Sequence, residues 1–209
     1  MNRHPDSRLI VYDGQNCCGK TTQFHLSSKY IYDKDRKYNV LLTREPTFGK
    51  YGLQIRQVLA SGKDPFSVRD ECFDLFVKDR FDHIDNHILP ALEKGYIVLC
   101  DRYMYSTLSF QGAQGVGFEK MIQAHEGVLV PDLVLLFDLP IEIANERRRK
   151  RGELIKVTEN EKIQPAVAEN YRKMQSLLPN HPIKVIDATH SIEKIFEEVR
   201  NELNKVLPY

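Results

Sequence analysis

Long hydrophobic runs are missing from these 209 residues. None approaches the ~20 apolar residues that a bilayer span needs. The start, MNRHPDSR, has no apolar stretch behind its charges and does not read as a signal peptide, so a cytoplasmic location is expected. An excess of either charge is also lacking. Thirty Lys+Arg face 29 Asp+Glu, a net +1, so nucleic acid is not an expected partner and any anion site has to be a local cluster. Cysteine is scarce: Cys17, Cys18, Cys72 and Cys100 show no paired C-x-x-C spacing, which argues for reduced thiols rather than a zinc site. No internal repeat, low-complexity tract or Pro/Gly/Ser linker divides the chain. One domain over 1–209 is therefore expected. What remains is an ordinary globular composition, 42% apolar and 28% charged, with enough apolar side chains to build a core.

Short apolar runs alternate with helical patterns. Leu9–Tyr12, Val40–Thr43, Ile97–Cys100, Leu133–Phe137 and Ile183–Ile186 read as buried strands. Near-continuous apolar strands suit a parallel sheet covered on both faces. Helices are expected over 20–32, 53–60, 68–92 (perturbed at Pro90), from Tyr105 onward, and over 119–127, 141–151, 165–178 and 192–206. This alternation predicts an α/β fold, a doubly wound five-stranded parallel sheet flanked by helices. Ligands in such sheets bind beyond the carboxyl ends of the strands.

The first strand runs straight into Gly14-Gln15-Asn16-Cys17-Cys18-Gly19-Lys20-Thr21-Thr22, a G-x-x-x-x-G-K-[ST] loop with a strand before it and a helix after it. Glycine permits the tight turn and close backbone approach, while N–H groups and the helix N-terminus face the anion. Lys20 is placed to reach the β/γ-phosphates and the Thr21 hydroxyl to bind Mg²⁺. A nucleoside triphosphate site over 14–22 follows. The D-x-x-G and N-K-x-D strings of a GTPase switch are absent, so the group that receives the phosphate has to be sought at the other strand ends.

Strand two ends in Thr43-Arg44-Glu45-Pro46 and strand three in Asp101-Arg102-Tyr103. Asp101 is a candidate second carboxylate for Mg²⁺, and Arg102 offers a planar fork to phosphate. Taken alone, an Asp-Arg pair after a strand is as readily a local ion pair. Phe76 and Arg80 are four apart on one helix face, suited either to stacking and bonding a base or to a core Phe beside a solvated Arg. Thr107 and Gln111 share a face in the same way, and a Gln amide reads both a donor and an acceptor. Arg147-Arg148-Arg149-Lys150-Arg151 is the densest charge run. It is either a solvated helix end or an anion clamp over the transferring phosphate, with a lid over about 147–163 hinged at Gly152.

This ordered set resembles the thymidylate kinase family, the nucleoside monophosphate kinases that make dTDP from dTMP and ATP. The likeness runs from Leu9 to about Val206. It is carried by the phosphate loop, Thr43-Arg44-Glu45-Pro46, Asp101-Arg102-Tyr103, Ser106 to Gln111, Pro131-Asp132-Leu133, the basic segment into Arg151-Gly152-Glu153, and Ile186-Asp187-Ala188-Thr189. The resemblance implies that Phe76 stacks on thymine, that Arg80 and Gln111 bond its edge near Thr107, and that Arg56 and Arg102 hold the dTMP phosphate. It puts Phe110 under the deoxyribose and Glu45 near the sugar and acceptor phosphate. It further implies a homodimer and, because Cys17 is not the Arg of the other type, a bacterial-type arrangement in which lid cations such as Arg147 and Arg151 act in catalysis. Two positions depart from the family pattern. Asn16 replaces an acidic residue, and Thr47-Phe48-Gly49 replaces the Gly-Gly after Arg-Glu-Pro.

The expected chemistry is in-line transfer from ATP–Mg²⁺ to dTMP, with Lys20, Arg102, Arg147 and Arg151 stabilising charge and no covalent intermediate. The alternatives are a kinase for another nucleotide or deoxynucleoside acceptor, and a nucleotide-binding protein without turnover.

Overall fold

The computed structural model describes residues 3–150, 152 and 163–208. From the N-terminus, β1 (Arg8–Gly14) passes through the phosphate loop into α1 (Lys20–Lys34), followed by β2 (Val40–Arg44), α2 (Lys50–Ala60), α3 (Arg69–His83), α4 (Leu89–Glu93) and β3 (Ile97–Asp101). Then come α5 (Met104–Ala113), α6 (Phe118–Gln123), β4 (Leu133–Asp138), α7 (Ile141–Lys150), α8 (Gln164–Arg172), α9 (Met174–Leu177), β5 (Ile183–Asp187) and α10 (Ile192–Val206). All five apolar runs are strands. They form one sheet in the order β2-β3-β1-β4-β5, and every neighbouring pair is parallel.

Successive strand residues point to opposite faces, and both faces here are covered. Leu9, Val11, Val98, Cys100, Val134 and Leu136 pack on one side with Phe73, Met104, Leu108, Val167 and Tyr171. Ile10, Tyr12, Ile97, Leu99, Leu135 and Phe137 pack on the other with Phe24, Ile31, Ile195, Val199 and Leu203. Thus α1 and α10 lie on one face, and α3, α5 and α8 on the opposite one. The connections leaving β1 and β3 go to different faces, which opens a crevice between their carboxyl ends. Register brings that rim level: Tyr12 pairs with Asp101, and Asp101 with Arg44.

The expected single helix over 68–92 is interrupted. After α3 the chain makes a π-helical turn, Ile84–Ile88, in which the Leu89 N–H reaches the Ile84 carbonyl. Pro90, at the start of α4, has no N–H to give, and its ring crowds the preceding turn. The wider turn accommodates it. The expected helix over 165–178 is likewise split, into α8 and α9 at Lys173. The segment after β2 docks closely on α2, since a Cβ added at Gly52 would sit 2.0 Å from the Thr47 carbonyl oxygen.

Gly52→Ala should therefore force α2 away from Thr47. Overpacking of this kind costs about 2 kcal/mol. A lowered denaturation midpoint with unchanged m-value is the expected result, and an unaltered midpoint would show that the helix yields freely.

Candidate active site

The phosphate loop is formed by backbone geometry that its sequence anticipates. Gly14 (φ 140°) and Gly19 (φ 92°) occupy left-handed conformations, and so does Cys17 (φ 63°), a costlier choice for a residue with a side chain. A Cβ at Gly14 would meet the Phe137 carbonyl oxygen of β4 at 2.5 Å. Lys20, buried at the start of α1, donates from Nζ to the Gly14 and Gln15 carbonyls at 3.0 and 3.1 Å and lies 3.8 Å from Cys18 Sγ. The Gln15 amide is turned away, onto the Leu139 carbonyl. Thr21 and Thr22 follow on the first turn of α1, with Thr21 exposed.

Beside this loop lies a cavity of about 200 Å³, lined at one end by Asn16, Arg102 and Ser106, along its walls by Phe76, Arg80, Tyr103, Thr107, Phe110 and Gln111, and at its far end by Val58, Leu59, Val68 and Cys72. Arg102 has φ 73°, and its N–H donates to the Tyr12 carbonyl at 2.8 Å. Its guanidinium donates to Ser106 Oγ at 2.8 Å and to Asn16 Oδ1 at 2.5 Å, and lies 5.6 Å from the Phe110 ring centroid. The Asn16 amide thus accepts the bond that a carboxylate would accept there, without adding charge.

Under Arg102 sits a residue that the motif reading passed over. Asp13 is fully buried. One carboxylate oxygen accepts from the Gly14 N–H, Ser106 Oγ and Tyr171 OH, and the other from the Tyr103 and Ser106 N–H groups. Burial, reinforced by the negative Asp13, pushes the Tyr171 phenol well above its usual pKa, so it stays a donor. A strand-end Asp before the loop glycine was the available signal, but all its partners except the Gly14 N–H come from the β3–α5 turn, α5 and α8.

A second polar network carries Arg80, which is buried along with its partners Glu45 and His83. Arg80 donates Nε to Glu45 Oε2 at 2.9 Å and Nη2 to Thr107 Oγ1 at 3.2 Å, and its Nη2 forms an ion pair with Glu45 Oε2 at 2.7 Å. Its Nη1 meets His125 Nε2 at 2.6 Å. His83 bridges Glu45 Oε1 (3.1 Å) and Thr43 Oγ1 (2.7 Å). One turn earlier, Asp79 accepts from the Thr47 N–H at 2.8 Å and from its hydroxyl at 2.5 Å. Residues 79, 80 and 83 of α3 therefore clamp the strand-two exit at Thr43, Glu45 and Thr47. Glu45, His83 and Cys100 lie close enough together to suggest a metal site. Both Glu45 oxygens are already bonded, however, and the Cys100 thiol donates to the Arg102 carbonyl at 3.1 Å, so the trio reads as a closed hydrogen-bond network.

The remaining expected residues are spread more widely. Arg56 does not line the cavity; it donates to the Pro46, Thr47 and Gly52 carbonyls and stacks on Phe48, 4.4 Å from its centroid. Arg147 donates to the Ala188 carbonyl at 2.9 Å, beyond the end of β5. The basic run is not one uniform face: Arg148 is buried, Arg149 and Lys150 are exposed, and Lys150 pairs with Glu146. Arg151 and 153–162, the greater part of the expected lid, lie outside the described residues. Asp101 keeps one buried carboxylate oxygen with no hydrogen-bond partner. Such an orphan, with the Thr21 hydroxyl as the second hard donor, fits a hydrated divalent cation.

The thymidylate kinase family model matches residues 12–199 of the chain. The chain belongs to the thymidylate kinase family. A probable thymidylate kinase of Pyrococcus horikoshii is 36% identical over 195 residues, covering 91% of this chain and 93% of that protein. A thymidylate kinase of Caldicellulosiruptor saccharolyticus is 34% identical over 207 residues, covering 96% and 97%. The crystal structure of thymidylate kinase from Ehrlichia chaffeensis superposes with a TM-score of 0.72 at 27% identity, covering 96% of this chain and 99% of that one. Among the described residues no helix is long and apolar enough to cross a membrane.

The thiols around the family's phosphate loop differ in access. Cys17 is half-buried and Cys18 buried. Burial, with the adjacent Glu71, pushes Cys72 up to about 11, and burial raises Cys100 well above the ordinary thiol value. Brief alkylation near pH 8 should modify Cys17 first, and ATP should slow that modification. Mass mapping that finds Cys72 or Cys100 first, or no protection by ATP, would refute this order.

Proposed function

We propose that the chain transfers the γ-phosphoryl group of ATP to the phosphate of dTMP, and that the residues gathered at the β1–β3 crevice divide the work. The observation that carries this reading is the placement of Arg102. It lines a largely apolar cavity and is tied through Asn16 to the phosphate loop. A phosphate held there lies beside a nucleoside triphosphate held by residues 14–22.

In this reading the loop N–H groups and Lys20 hold the β/γ-phosphates. Arg102 holds the acceptor phosphate, Phe76 stacks on thymine, Arg80 and Gln111 address its edge beside Thr107, and Phe110 lies under the sugar. An acceptor phosphate oxygen attacks the γ-phosphorus in line. The new P–O bond forms as the bond to the β-phosphate oxygen breaks, and ADP leaves. Positioning and charge neutralisation carry the catalysis. The Thr21 hydroxyl and Asp101 would hold Mg²⁺, which would supply charge neutralisation to the phosphates. Glu45 acts mainly by fixing Arg80. Arg56 serves the site by holding the Pro46–Thr47 turn, and reaches phosphate only if its guanidinium leaves those carbonyls. Arg147 belongs to the donor side, and Arg151 to the lid. The reading includes a one-domain cytoplasmic enzyme that acts as a homodimer on nucleotides rather than nucleic acid, and sedimentation at working concentration tests the dimer.

The direct test is a panel of nucleotide and deoxynucleoside acceptors with ATP–Mg²⁺, in which dTMP should give the highest kcat/KM. Preference for another acceptor would overturn the substrate assignment. Arg102→Ala should cost about 3 kcal/mol in kcat/KM for dTMP, with the KM for ATP nearly unchanged. Equal loss of both affinities would make Arg102 structural.

Phe110→Ala should lower the preference for dTMP over its ribonucleotide, because the ring that crowds a 2′-hydroxyl is gone. An unchanged preference ratio would leave Phe110 a packing residue only.

A further inference from the structure

His125 is buried in the turn after α6 and does not line the cavity. Its Nδ1 lies 2.6 Å from the Met121 carbonyl, which can only accept. Nδ1 therefore carries the hydrogen, and Nε2 turns a lone pair to Arg80 Nη1 at 2.6 Å. Burial, and then the Arg80 charge, push this imidazole down to about 3, so it remains a neutral acceptor throughout the working range.

The Arg80 guanidinium has five N–H groups. Nε donates to Glu45, Nη2 donates to Thr107 while lying 2.7 Å from Glu45 in the ion pair, and Nη1 spends one N–H on His125. Tyr103 covers one face, 5.3 Å from the guanidinium carbon. The plane is thus fixed on three sides, and one Nη1–H is left for a ligand in the cavity that Arg80 lines. A guanidinium can donate but never accept. An exocyclic carbonyl on a bound pyrimidine satisfies that Nη1–H, whereas an amino group at the same place opposes donor to donor.

We infer that His125 is a positioning residue for base selection, holding Arg80 so that its second Nη1 donor favours a 4-keto pyrimidine over a 4-amino one. This inference rests on the proposed dTMP reading. It assigns His125 a role in choosing the acceptor without contact to the acceptor. A leucine at 125 removes the acceptor for Nη1 and frees the guanidinium to tilt. A glutamine carries a carbonyl oxygen that can accept the same bond.

The test measures kcat/KM for dTMP, dUMP and dCMP in the wild-type enzyme, His125→Leu and His125→Gln, with the KM for ATP alongside. In His125→Leu, dTMP and dUMP should both fall by about tenfold, as expected when a charge-assisted bond loses its geometry. The dCMP value should not fall with them, the dTMP/dUMP ratio should hold, and the KM for ATP should be unchanged. His125→Gln should recover most of the loss. An equal fall for all three acceptors, no fall at all, or a glutamine variant no better than leucine would overturn the inference. Should His125→Leu not fold, imidazole ¹⁵N spectra of the wild-type protein decide. The Nδ1–H neutral form from pH 5 to 9 supports the inference, and a protonated ring or the Nε2–H form defeats it. A wild-type enzyme that ignores dTMP would instead refute the substrate assignment on which this inference rests.

Discussion

Much of the site hangs on the burial of one carboxylate at the end of the central strand. Asp13 is out of contact with water, a position that costs several kcal/mol for a charge unless hydrogen bonds replace the lost solvent. Five donors supply them: three backbone N–H groups, the Ser106 hydroxyl and the Tyr171 phenol. Those donors belong to the start of the phosphate loop, the β3–α5 turn, the first turn of α5, and α8. A single carboxylate therefore fixes the donor side, the turn that presents Arg102, and the helix that follows the expected lid. The left-handed backbone at Arg102 is held within this arrangement by its own N–H on the Tyr12 carbonyl.

Arg80 and Glu45 are a second buried charge pair, treated differently. A buried ion pair is weak evidence for stability, because desolvation offsets the attraction. Here the pair is extended by His83, His125 and Thr107 until nearly every polar atom is satisfied. Such a network is rigid when complete and costly when one member is removed. Rigidity suits a wall that has to discriminate between bases, and it accounts for three residues of α3 gripping the exit of β2.

The two departures from the family pattern have visible local accommodations. Asn16 still reaches Arg102 through its amide oxygen. Thr47, in place of a glycine, answers Asp79 with both its N–H and its hydroxyl. Phe48, two-thirds exposed, lies against the guanidinium groups of both Arg44 and Arg56. The chain has exchanged backbone freedom at this turn for side-chain contacts.

Features set by neighbours in the chain were legible in the sequence. The five apolar runs specify strands because a strand buried on both faces needs no polar alternation. The phosphate loop is a contiguous string whose glycines and lysine act on local backbone, and Pro90 announces the break before α4 because its ring is a local constraint. Phe76 with Arg80, and Thr107 with Gln111, could be paired because four residues on a helix return to the same face, and the cavity is lined by all four. What only the tertiary structure decided was which distant groups meet. Asp13 and Tyr171 are 158 positions apart, and Arg80 and His125 are 45 apart. No spacing rule reaches across a crossover, so those pairings, and the turning of Arg56 onto backbone carbonyls rather than into the cavity, depend on how the helices seat against the sheet. A lone buried His or Asp has no sequence signature of its own, because its meaning comes entirely from the partner that packing brings to it.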